Sequence, residues 1–81
     1  MISEDPFGSQ LARAEAAVAE HGTAENRRRL GGLYYIDDRF EEAQQQWEVA
    51  FRVFREGGQL RDAARVAIDL AGLQQWFTSH N

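Results

Sequence analysis

Apolar residues recur along this chain at steps of three and four, the period of one face of an α-helix. Leu11, Ala14, Val18 and His21 share the first such stripe, with Asp5-Pro6 or Ser9 as a possible start and Gly22 as a stop. This predicts a helix from about Ser9 to about His21 behind a lead-in over residues 1–8. Thr23 is placed to cap a second helix, in which Arg27, Leu30 and Tyr34 share a face and which Asp37-Asp38 end. Asp38 followed by Glu41 reads as a capping box, so a third helix should begin near Arg39. Its stripe of Phe40, Ala43, Trp47, Ala50, Phe51 and Phe54 is the strongest in the chain. Glu48, Arg52 and Glu56 repeat every four residues opposite it, the spacing of solvated ion pairs. Val49 and Val53 lie on a further side, available to another helix.

Glu56-Gly57-Gly58 breaks the pattern, and a fourth helix starts by Leu60. Leu60, Ala63, Val66, Ala67, Leu70, Ala71, Leu73 and Phe77 form its apolar arc, and Ile68 and Trp76 lie off it. The fold class is all-α, four helices joined by short turns in one domain over residues 1–81.

Composition narrows the chemistry. The 81 residues include no cysteine, so disulfides and thiolate metal sites are excluded and a small core has to gain stability from helix packing or association. Thirteen acidic residues against nine basic ones give a net charge of −4, which disfavours direct nucleic-acid binding. Every basic residue is arginine, which with twelve alanines is consistent with a bacterial source. Neither a signal sequence at Met1 nor a run of the roughly 18 apolar residues needed to span a membrane is present, so the expected location is cytoplasmic, without membrane partners.

An internal repeat shows in Leu30-Gly31-Gly32-Leu33, which returns forty residues on as Leu70-Ala71-Gly72-Leu73. Small residues after each leucine would allow close helix approach. Leu30-Gly31-x2-Tyr34, then Asp38-Arg39-Phe40-Glu41-Glu42-Ala43-x3-Trp47-x2-Ala50, resembles the tetratricopeptide repeat, whose pattern is W-x2-L-G-x2-Y, then A-x3-F, then P. Residues 24–57 match best; Arg27 stands for the leading Trp, Trp47 for the Phe and Arg55 for the closing Pro. Residues 60–77 would be the first helix of a second, incomplete repeat. The forty-residue spacing is similar to the long-repeat variant of bacterial signalling proteins and LuxR-type regulators.

The resemblance implies a partner-binding face on the first helix of each pair: Arg28, Gly32, Tyr35 and Ile36, then Arg65, Ile68, Gly72, Gln75 and Trp76. The helical wheel independently puts these residues away from the core arcs, and Arg, Tyr and Trp are the types enriched at interaction hot spots. Arg27-Arg28-Arg29 cannot make one basic face, because successive helical residues point about 100° apart. His21 on its stripe reads as structural, His80 lies in the tail, and Asp37-Asp38 as helix caps. No nucleophile motif, HExxH or phosphate loop is present, so no catalytic, metal or cofactor residue is nominated. The expected function is a non-enzymatic protein-protein interaction module for a protein or peptide partner, a homodimer or one capped by that partner. The alternative is a regulatory or effector-sensing domain of a bacterial transcription regulator.

Overall fold

The computed structural model describes residues 6–79, which form four helices and no strand: α1 (Pro6–Glu20), α2 (Ala24–Ile36), α3 (Phe40–Glu56) and α4 (Leu60–Ser79). Each helix packs on the one before it in a flat zigzag with extents of 46 × 34 × 17 Å. The core is Ala14 from α1, Ala24, Leu30 and Tyr34 from α2, Ala43, Trp47, Ala50 and Phe54 from α3, and Ala63, Val66 and Leu73 from α4. The α3 stripe therefore does face the core, with Phe40 and Phe51 half-buried at its edges.

Several expectations change. α1 opens at Pro6, the first helical position where a missing N–H costs nothing, so Pro6 to Gly8 belong to the helix and not to the lead-in. Residues 1–5 and His80 lie outside the described residues. His21 has left the helix and is exposed. Its carbonyl accepts from Thr23 N at 2.7 Å and Asn26 Nδ2 at 2.8 Å. Thr23 caps α2 as expected, its hydroxyl accepting from Asn26 N at 3.1 Å. Asp38 makes no capping box: Arg39 stands at the N-cap of α3 without a side-chain cap bond, while Asp38 is left-handed at φ 61°. The α2 end is instead a Schellman turn, with Asp38 N donating to Tyr35 O and Arg39 N to Tyr34 O. Gly58, at φ 78°, repeats that turn after α3, with Gly58 N on Arg55 O and Gln59 N on Phe54 O. Two three-residue turns of one shape thus set α2, α3 and α4 in sequence.

On the outer side of α3, Glu48, Arg52 and Glu56 are exposed but form no ion pair among the described residues; Glu48 accepts instead from Gln44 Nε2 at 3.2 Å. On α4, Leu60 is 66% exposed and Ala71 is exposed as well. Leu60 is the first residue of the helix, and Ala71 lies at the edge of α4 in a groove shared with Phe51 of α3.

The α1–α2–α3 joint is polar and specific. Tyr34 Oη donates to Glu15 Oε2 at 2.8 Å, and the Arg39 guanidinium lies 4.4 Å over the Tyr34 ring while gripping Glu42 through two bonds of 2.7 Å. Burial first, and then the bond to Glu15, push the Tyr34 phenol up to about 12, so it stays a donor at neutral pH. The Arg39 bond holds the Glu42 carboxyl below its usual range. Tyr34→Phe removes only the hydroxyl, and because Glu15 is exposed and can turn to water the expected loss is about 0.5–1.5 kcal/mol in urea denaturation. Unchanged stability would mean that water serves Tyr34 equally well.

Candidate partner-binding surfaces

Residues forty apart in the sequence line one buried side on both α2 and α4. On α2, one side meets the preceding helix: Asn26 donates to Ala17 O of α1 at 3.5 Å, and Leu30 is buried. Forty residues on, Val66, Leu70 and Leu73 turn the corresponding side of α4 to the core. The opposite side of α2 meets the following helix. Trp47 Nε1 donates to Arg28 O at 3.1 Å, Arg27 donates to Gln46 Oε1 at 3.1 Å, and the Tyr35 ring lies 5.8 Å from Trp47 and 5.3 Å from Phe40. Gly31 sits directly under the Trp47 indole, where an added Cβ would come within 2.5 Å of two ring atoms. The counterparts of Arg27, Arg28, Gly31 and Tyr35 on α4 are Ala67, Ile68, Ala71 and Gln75. Ile68 is 71% exposed, Ala71 and Gln75 are exposed, and Ala67 is half-buried.

The sequence-nominated residues divide into three places. Arg28, Gly32 and Arg65 border a groove of about 620 Å³ between α2 and α4, with Trp47 and Phe54 of α3 as its floor. Glu25, Arg29, Asp62 and Asp69 complete its walls; sequence reasoning nominates none of them, because the three carboxylates are unremarkable surface charges taken singly and Arg29 is weighed only within the Arg27-Arg28-Arg29 run. Three arginines thus face three carboxylates there without forming an ion pair. Ile68, Gly72 and Gln75 lie instead on the outer side of α4, and no neighbour lies within 4 Å of where a Cβ on Gly72 would stand. Trp76 does not extend that strip. Its ring packs 4.4 Å from Phe40 and 5.5 Å from Phe77, tying the end of α4 to the start of α3. Tyr35 belongs to the same aromatic row, 44% exposed, and Ile36 is 67% exposed beside it.

Two further grooves mark the ends of the zigzag, the first mainly apolar and the second half polar in its lining. One, of about 290 Å³, lies between α3 and α4 and is lined by Phe51, Ala67, Leu70, Ala71 and Gln74. The other, of about 450 Å³, lies between α1 and α2 and is lined by Gln10, Arg13, Ala14, Ala17, Arg29 and Leu33. Both are seams between two helices, the shape that receives a third. Among the described residues no three His, Asp or Glu side chains gather as metal ligands, and no helix is long and apolar enough to cross a membrane.

Comparison with protein-family models, with curated proteins and with solved structures finds no match to this chain.

Proposed function

We propose that the chain is a non-enzymatic protein-protein interaction module of tetratricopeptide-like design, acting in the cytoplasm by receiving a partner helix on an open face. One observation carries the reading. The side of α4 that corresponds, forty residues on, to the side of α2 covered by α3 has no helix over it among the described residues, with Ile68 71% exposed and Ala71 exposed beside an apolar groove. A helical repeat buries its apolar face only against a neighbour, so such a face is a binding surface by the same physics that folds the rest of the chain.

The test is a thermal melt with a synthetic amphipathic helix whose apolar face alternates alanine and leucine, at a protein concentration where the chain is monomeric. A ligand that binds only the folded chain adds about 2.7 kcal/mol when present at about 100 times its Kd. The melting temperature is therefore expected to climb with peptide, and Ala71→Arg to abolish the effect. A melt unmoved by peptide would overturn the reading.

The groove between α2 and α4 favours a second reading, as an effector-sensing or regulatory domain of a bacterial transcription regulator. Its volume of about 620 Å³ is that of a small-molecule site, and its balanced, unpaired charges suit a zwitterionic ligand. Stabilisation by short charged peptides, lost in Arg65→Ala and kept in Ala71→Arg, would favour this reading over the first.

A further inference from the structure

The two end grooves are each missing the kind of helix that lines the other. The α3/α4 groove lies where the helix following α4 would pack, and in the alternation of this chain that helix is of the α1 and α3 kind, second in its pair. By the same alternation the α1/α2 groove lies where a helix preceding α1 would pack, of the α2 and α4 kind. We propose that these ends meet between copies: α1 of one molecule seats in the α3/α4 groove of another, while α4 of that second molecule seats in the α1/α2 groove of the first. This rests on the interaction-module reading above and names its partner as a second copy of the chain.

The chemistry at the contact selects α1 over a copy of α3. On α2 the small residue facing the next helix is Gly31, and a Cβ there would collide with Trp47 at 2.5 Å. Its counterpart Ala71 has that Cβ. The helix seated on α4 therefore carries a smaller side chain than Trp at the crossing point, and the groove-lining side of α1 offers Gln10, Ala14 and Ala17. Ala67 and Ala71 lie opposite these on α4, with Phe51 and Leu33 closing the flanks. Small residues on both sides allow the helix axes to come close. The seam that joins α2 to α3 within one molecule is thereby continued across the boundary by the same alternation of helices.

One interface made of two different surfaces is heterologous, so copies add head to tail and assembly does not stop at a dimer unless an end is blocked. Light scattering behind size exclusion on the full 81-residue chain reads this directly. The expected wild-type mass rises with concentration from the 9.2 kDa monomer to beyond a dimer. Ala71→Arg blocks one groove and Ala17→Arg the other, so each variant alone is expected to stay at 9.2 kDa. Each keeps one intact end of opposite kind, and their equimolar mixture is expected to form a heterodimer of twice that mass.

Circular dichroism checks that both variants remain helical. Because Ala17 is half-buried, Gln10→Glu with Arg13→Glu, at exposed positions of the same groove, replaces it if Ala17→Arg unfolds. A wild-type monomer at every concentration overturns the proposal, as does a folded variant that dimerises alone, which marks a two-fold interface between like surfaces. If the wild type is monomeric at every concentration, peptide stabilisation would leave the module reading standing without this proposal, whereas indifference to peptide would remove both.

Discussion

Trp47→Ala is expected to cost about 3–5 kcal/mol of folding stability, the range for truncating a buried tryptophan. The indole is 5% exposed and lies between α2 and the body of α3, so removing it opens a cavity under Gly31 that rigid helices cannot collapse to fill. A second effect adds to the first. Trp47 Nε1 donates to Arg28 O at 3.1 Å, and without the indole α2 and α3 lose that cross-helix bond. For a domain of this size such a loss is a large part of the total, and the variant is expected to populate unfolded chains at room temperature. Urea denaturation followed by circular dichroism measures it; a midpoint near that of the wild type would mean that Trp47 is not the centre of the core.

Gly31→Ala is expected to destabilise by about 1–3 kcal/mol, although alanine is the better helix former by roughly 1 kcal/mol. The added Cβ would stand 2.5 Å from Cδ1 and Nε1 of Trp47 and 3.1 Å from Cε2, and a rigid indole that is only 5% exposed cannot yield as a flexible side-chain end would. Either α3 moves outward or the ring leaves its rotamer, and both weaken the seam. Gly32→Ala is the internal control. With nothing within 4 Å of its Cβ position, that substitution gains helix propensity and is expected to stabilise by about 0.5–1 kcal/mol. Adjacent glycines should thus respond with opposite signs. If both substitutions stabilised, the close contact at Gly31 would be refuted.

Much of the fold was legible because helical periodicity is a local property of the chain. The stripe from Phe40 to Phe54 needed no tertiary information: apolar side chains at that spacing share one face in any α-helix, and a face of that width has to be buried. The stop at Gly57-Gly58 and the cap at Thr23 were legible for the same reason, since each acts within one turn of its own backbone. The Asp38 capping box failed on a local competition that spacing does not express. A left-handed residue was required to close α2 in a Schellman turn, Asp tolerates that conformation, and a residue so used cannot also cap α3.

The candidate surfaces were only half legible. A helical wheel tells one side of a helix from the other but not which neighbour covers it. It placed Trp76 off the arc of α4, yet the crossing of α3 and α4 brings its ring onto Phe40. It placed Ala71 and Leu60 on the arc, yet both are exposed. Glu25, Asp62 and Asp69 gained their place only when α2 and α4 came to stand on either side of α3 and made one groove from charges far apart in the chain.

The sequence by itself determined the four helices, two of their three turns and the apolar stripe of α3, because each depends on contacts within a few residues. The tertiary structure alone decided which flanks of α1 and α4 remain uncovered, because burial is settled by neighbours distant along the chain, and a helix turns several sides to the world while its periodicity marks only one.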